Sequence, residues 1–280
     1  MLKKIYVAGL LVLASCNLYS QVNPKDTDFR SPMDITLFLS GTFGELRNNH
    51  FHSGIDIRTQ QREGFNIYAI DEGYVSRIKI SPWGYGLALY ITHPSGYVSV
   101  YAHLREFNKE ISEYIKKEQY KIRSFSIDKY IDDGVLPVKK GDIVGKSGNS
   151  GTSGGPHLHF EIRDEATQHP MNPLAFGINI PDKTPPVIQS IKIYPGFPSS
   201  TINGRSREVS RDVVPAGRNY VLASKDTLRL SGWVYFGIRG FDRQENTPNQ
   251  NGFYGVELLV NSELIYSHAL DRFSFDETRY

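Results

Sequence analysis

Cysteine is almost missing from this chain. Cys16 is the only one in 280 residues, so no intramolecular disulfide can form and no zinc site can rest on thiolates. A long apolar run is missing too. Ile5 to Ala14 is short of the roughly 20 residues that a spanning helix needs. Net charge is small, at a formal +2, which argues against nucleic acid or an anionic membrane surface as partner. Long helical patterns are scarce, whereas Tyr and Phe number 17 and 15, and that balance leans toward β structure. No internal repeat stands out.

The short apolar run has its own meaning. Lys3 and Lys4 precede it, and residues 1–20 read as an export signal. Two exits fit. Leu13-Ala14-Ser15-Cys16 resembles a bacterial lipobox, which makes Cys16 a lipid-anchor site, and ordinary cleavage fits after Ser20. Either exit sends the mature chain to the periplasm or cell envelope.

The length suits about two domains. Residues 21–40 form a lead-in with Pro24 and Pro32. Strands are expected at 65–70, at 74–80 with its period-two alternation, and in a hairpin of 87–93 and 97–103 around Pro94-Ser95-Gly96. Glu106 to Lys121 carries Phe107, Ile111, Tyr114 and Ile115 near helical spacing and reads as an amphipathic helix on the sheet. Strand pattern resumes at 136–138, 143–144 and 158–162. The stretch Gly145–Gly155 between them is a Gly/Ser loop that can bring backbone close to a ligand. It has no Gly-Lys-Ser/Thr ending that opens a helix, so a phosphate loop is excluded. The first domain closes near Phe176, and 177–186, with three prolines, reads as a linker. Strand-like segments at 187–194, 228–242 and 253–266 suggest a β-sandwich of immunoglobulin type over 187–280, without the immunoglobulin Cys pair. No obvious closing element follows Phe275, so an incomplete second domain stays open.

Histidine carries the chemistry. His157-Leu158-His159 places two imidazoles on one face of a strand, with Leu158, Phe160 and Ile162 on the other. Far upstream, His52 and Asp56 share a face if the chain is extended, and Gly54 leaves room between them. Three imidazoles and a carboxylate suit one zinc ion and an acid/base group. Glu161 follows on the His159 face and suits orienting a ligand. His103, after Tyr101-Ala102, reads by itself as a structural histidine, as does His93 before Pro94. His50, two before His52, shares its face if the chain is extended but has no matching motif; His169 and His268 have no evident partners. Trp83, Tyr85 and Tyr97 suit either a peptide groove or core packing.

Taken together, three segments resemble the signatures of lysostaphin/LytM-type zinc metallopeptidases, bacterial enzymes that cut peptide bonds in peptidoglycan. They are His52-Ser-Gly-Ile-Asp56, Tyr101-Ala-His-Leu104, and Gly148-Asn-Ser-Gly-Thr-Ser-Gly-Gly-Pro-His-Leu-His-Phe-Glu161. The resemblance covers roughly residues 40–165 and includes Val138 to Val144 before the Gly-rich loop. It implies a mainly antiparallel β peptidase domain over 41–176; the charged insert between Leu104 and Leu136, with its short helix, departs from the family by being longer than in compact members. It also implies one zinc ion held by His52, Asp56 and His159, with His103 and His157 as catalytic histidines. The implied function is endopeptidase action on peptidoglycan stem peptides or cross-links. Two alternatives are a non-catalytic wall-binding activator of other hydrolases, whose known examples typically lack metal ligands, and a secreted protease acting on proteins.

Overall fold

The computed structural model describes residues 27–278; the expected export signal and Cys16 lie outside them. The chain divides into two compact units. The larger runs from the first described residues to Lys183, and takes in Gln244–Gly252 and everything from Leu270 onward. The smaller comprises Thr184–Arg243 and Phe253–Ala269. The sequence partition is linear, whereas the chain re-enters the larger unit twice.

The larger unit is built on an antiparallel sheet. Its strands are β1 (Leu39–Gly41), β2 (Ile55–Arg58), β3 (Asn66–Tyr68), β4 (Gly73–Ile80), β5 (Leu87–His93) and β6 (Tyr97–Phe107). Helix α1 (Lys109–Ile122) follows, then β7 (Ile127–Tyr130), β8 (Pro137–Val138), β9 (Ile143–Ser147), β10 (His157–Asp164) and β11 (Pro170–Met171). The main path across the sheet is β1-β2-β10-β6-β5-β4-β7. Period-two alternation divides the side chains between two faces. Ile55, Ile57, Tyr101, Leu158, Phe160 and Ile162 enter the main core on one face. Ala88, Tyr90, Val98, Val100 and Ala102 form a second, smaller cluster. The central strands are thus buried on both sides, and the histidine face of β10 is largely covered.

Helix α1 begins three residues later than its sequence pattern. Asn108 caps it, its side-chain oxygen accepting from the Ile111 amide at 2.9 Å. Arg123, in the left-handed region, ends it. The helix buries Ile111 and Ile115 in the main core and leaves its charged face to solvent.

The smaller unit holds a four-stranded antiparallel sheet of order β15-β14-β12-β17, built from β12 (Val187–Pro195), β14 (Val209–Ala216), β15 (Asn219–Leu222) and β17 (Val234–Phe241). Two short ribbons accompany it: β13 (Thr201–Ile202) with β16 (Leu230–Ser231), and β18 (Gly255–Val260) with β19 (Glu263–Ala269). The segment read as one strand over 253–266 is a hairpin turning at Asn261-Ser262, both with positive φ. Among the described residues, one sheet and two ribbons stand where a two-sheet sandwich was expected. The alternation in β14 and β15 is half-exposed and mixed with Pro, Arg and Asn, which hid both strands from sequence reading.

Candidate metal centre

Register makes the site. In the β2–β10 pairing, Asp56 lies opposite His159 and Arg58 opposite His157, so the carboxylate and both imidazoles share one face. His52 does not lie on the strand with Asp56, as an extended chain would have it. It precedes β2 in a loop that bends at Gly54 against β10. A Cβ on Gly54 would lie 2.2 Å from the Phe160 carbonyl oxygen, so glycine permits the close approach. The loop brings His52 Nε2 to 3.1 Å from both Asp56 Oδ1 and His159 Nδ1. His159 Nδ1 is 2.9 Å from the same Oδ1. Among the described residues, His52, Asp56 and His159 are the group whose ligand atoms converge as a metal requires.

The far side of each ring shows why a cation fits. His52 Nδ1 is 2.8 Å from the Thr42 carbonyl, which can only accept, so Nδ1 carries the proton and Nε2 presents a lone pair. His159 Nε2 is 2.8 Å from Glu161 Oε1 and donates to it, so Nδ1 presents a lone pair. Three acceptors thus face one another, and they repel unless positive charge lies among them. Four-coordinate zinc with bonds of about 2.0–2.1 Å sets its ligand atoms about 3.3 Å apart, close to this triangle. The donor set of two imidazoles and one carboxylate suits such an ion and leaves a position open.

Where no ion is held, the same acceptors draw protons instead. Burial pushes the Asp56 carboxyl up, but the surrounding imidazoles of His157, His159 and His52 outweigh it and hold it far below the usual carboxylate range. Burial pushes His159 down, but Asp56 and Glu161 on its two sides lift it to about 9.

Glu161 is fully buried beneath the site. Its Oε1 accepts from His159, from Ser53 Oγ at 2.6 Å and from the Tyr85 hydroxyl. Its Oε2 takes Nε and Nη2 of Arg163, each at 2.6 Å. Burial raises the Glu161 carboxyl, but Arg163 and His159 hold it well below its ordinary range. The sequence places Glu161 as an orienting group, and it does fix the His159 ring. Ser53 and Arg163, one and two positions from motif residues, were not singled out.

His103 reaches the site by a different device. Between β5 and β6 the register slips from Leu89–Tyr101 to Leu87–Leu104, so β6 carries one extra residue. His103 sits there with φ +57. Strict alternation would turn it away from the face of Ala102; the bulge returns it to that face and sends Leu104 into the main core. Its ring centroid is 4.8 Å from that of His157 and 5.9 Å from that of His159. His103 Nδ1 donates to the Ser150 carbonyl at 2.8 Å, and His157 Nδ1 to the Gly155 carbonyl at 2.8 Å. Each therefore keeps Nε2 as a basic nitrogen, and that of His157 lies 3.5 Å from Asp56 Oδ1. Burial, reinforced by the neighbouring His159, pushes His103 down to about 4, so it is neutral at pH 7.

The Gly/Ser loop holds both accepting carbonyls. It packs on the turn 81–86, where Thr152 N donates to the Gly84 carbonyl at 2.8 Å. Trp83 projects from that turn with 76% of its surface exposed, Tyr85 packs against the His159 ring, and Tyr97 is buried in the main core. Of the three aromatics weighed for a groove, Tyr97 is therefore core. His50 is exposed and pairs with Asn49 Oδ1, away from the ligand group. His93 is buried between the Glu72 carbonyl and Ser99 Oγ, both at 2.8 Å.

Residues 50–120 and 133–173 match the profile of Peptidase family M23. Over these residues the chain is similar to peptidase family M23. The twelve unmatched residues, 121–132, take in the end of α1 and β7 within the insert between Leu104 and Leu136. Among curated relatives, this chain is similar to the DD-carboxypeptidase/endopeptidase Mpg of Neisseria meningitidis, 29% identical over 139 residues, covering 50% of this chain and 26% of that protein. An uncharacterized metalloprotease of Haemophilus influenzae is 30% identical over 111 residues, covering 40% of this chain and 18% of that one. The chain thus spans about a quarter or less of the length of these relatives. Among solved structures, the catalytic domain of the prophage-encoded M23 protein EnpA of Enterococcus faecalis is 25% identical with a TM-score of 0.39, covering 53% of this chain and 98% of that one. The catalytic domain of lysostaphin from Staphylococcus simulans is 25% identical with a TM-score of 0.35, covering 50% and 88%.

Proposed function

We propose that this protein is an exported zinc endopeptidase that cuts peptide bonds in the stem peptides or cross-links of bacterial peptidoglycan. The observation that carries the reading is the convergence of three lone pairs, from His52, Asp56 and His159, beside two further imidazoles whose Nε2 atoms remain basic. The match to peptidase family M23 and the Lys3-Lys4 apolar leader support it.

His52, Asp56 and His159 are the residues that would hold the ion. Bound zinc supplies Lewis acidity toward a carbonyl and lowers the pKa of water to about 7. The protein's own groups then move the proton. His157 Nε2, beside Asp56, is placed to take it from the attacking water and return it to the leaving nitrogen, typically worth about 10²–10⁴ in rate. His103 cannot donate from Nε2 while Nδ1–H is committed to Ser150; neutral, it is a second acceptor, and on gaining a proton it becomes a donor to the developing oxyanion. The two roles are exchangeable in this geometry. Retention of all five residues weighs against the non-catalytic alternative, and exposed Trp83 beside the site suits an extended peptide substrate.

Purified protein is expected to bind one zinc ion per chain and to cleave cross-linked muropeptides, with the products identified by mass spectrometry. His52→Ala is expected to lose metal and activity together, and His157→Ala to keep metal while turnover falls. Full activity in both variants, or wild-type protein that takes up no zinc, would overturn the reading.

A further inference from the structure

The Asp56 carboxylate has a second oxygen, and the ligand triangle does not use it. Arg47 Nη2 lies 3.0 Å from Asp56 Oδ2. We propose that Arg47 is a positioning residue for the metal site, engaging Oδ2 so that Oδ1 alone faces His52 and His159. The inference rests on the metal reading above.

Two features beyond the ion pair support it. The first is how Arg47 is delivered. Residues 45–52 form a tight hairpin, with a bridge between Leu46 and Phe51, Arg47 N donating to the His50 carbonyl at 2.8 Å and His52 N to the Glu45 carbonyl at 2.8 Å. One rigid turn thus sets both the imidazole that binds and the guanidinium that orients. Glu45 Oε2 at 3.4 Å gives the guanidinium a second anchor, and Glu45 is itself held by Thr42 Oγ1 at 2.7 Å.

The second feature is an empty place. Gly41 of β1 pairs with Asp56 of β2. A Cβ on Gly41 would lie 2.4 Å from Arg47 Nη2 and 2.6 Å from Asp56 Oδ2. Its φ is not in the left-handed region, so no turn conformation requires glycine here; what a side chain would displace is the ion pair. A carboxylate with both oxygens free can chelate through both and use up the open position. One whose second oxygen accepts a charge-assisted hydrogen bond presents a single oxygen in a fixed direction.

A guanidinium near a dication also repels it, so the sign of the net effect is a direct test. The measurements use the whole chain stripped of metal. They are Zn²⁺ affinity by competition with a chromophoric chelator, and the visible spectrum of the Co²⁺-loaded form, whose intensity reports coordination number. In Arg47→Met, Zn²⁺ affinity is expected to fall by about 10–100-fold, the range typical for partners of metal ligands, and the Co²⁺ bands to weaken as a second oxygen enters. Gly41→Ala is expected to act in the same direction, and the two losses not to add in the double variant, because both remove one contact. If Arg47→Met fails to fold, Gly41→Ala with native Arg47 carries the test. Wild-type affinity with superimposable Co²⁺ spectra in the variants, or tighter Zn²⁺ binding in Arg47→Met, would overturn the role of Arg47 and leave the metal reading standing. A wild-type chain that takes up no Zn²⁺ would overturn both.

Discussion

At the scale of the residue, Glu161 shows how much of a metal site lies behind its ligands. Both oxygens are engaged by protein groups: one side fixes the His159 ring, the other neutralises Arg163. In Glu161→Gln the Arg163 charge stays buried without its partner. The expected loss is about 3–5 kcal/mol of stability by urea unfolding, together with weaker Zn²⁺ binding. His93 is the opposite case, a histidine that sequence order placed near the motifs and the fold uses for structure. Burial holds its pKa below 6.5, against the pull of the Glu72 carbonyl. The unfolded chain therefore takes up that proton first as pH falls. The stability contribution is complete above pH 6.5 and is lost as pH drops through the folded-state pKa. Urea midpoints between pH 7.5 and 5 should fall more steeply in wild type than in His93→Gln. Equal slopes would show that His93 is not the group responsible.

At the scale of the element, strands place the ligands and irregularities aim them. Period two, read along β10, correctly groups His157, His159 and Glu161 on one face. The same rule applied to β6 points His103 away from the site, and only the one-residue bulge reverses it. Nothing in Tyr101-Ala-His-Leu104 announces a bulge, because the extra residue is counted against β5, a different stretch of chain. Helix α1 is legible from its own residues, since Ile111 and Ile115 lie four apart and Asn108 supplies the cap. Its packing is with the core and not with the ligand triangle. Ile115→Ala is accordingly expected to cost about 2–5 kcal/mol in unfolding free energy while Zn²⁺ affinity stays at the wild-type value. A parallel loss of metal would mean that the insert supports the site directly.

At the scale of the whole molecule, the larger unit is completed by residues from beyond the expected linker. The Gln244 side chain is buried; its Oε1 accepts from the Leu39 amide at 2.9 Å, and its Nε2 donates to the Leu37 carbonyl at 2.7 Å. Leu270 and Phe273 pack on the main core, Phe273 stacking on Phe43 with ring centroids 4.9 Å apart. A chain cut after Lys183 therefore loses part of the larger unit along with the smaller one. Its thermal midpoint is expected to fall well below that of the full chain. Gln244→Ala in the full chain should reproduce part of the drop, about 1–3 kcal/mol, by leaving buried backbone groups without partners. An unchanged midpoint in the truncated chain would show that these returning segments do not support the unit.

Local sequence determined what local physics governs. Residue pattern marked β3 to β6 and β8 to β10 but not β1, β7 or β11, spacing marked the helix, and two histidines one strand repeat apart marked the chemistry. Tertiary structure alone decided which oxygen of Asp56 meets the imidazoles, which face His103 takes, that Arg47 reaches Asp56 across the space left by Gly41, and that Gln244 belongs with Leu39. Each of those depends on how distant segments pair in register, and pairing free energy is summed over the whole sheet rather than written in any one stretch of it.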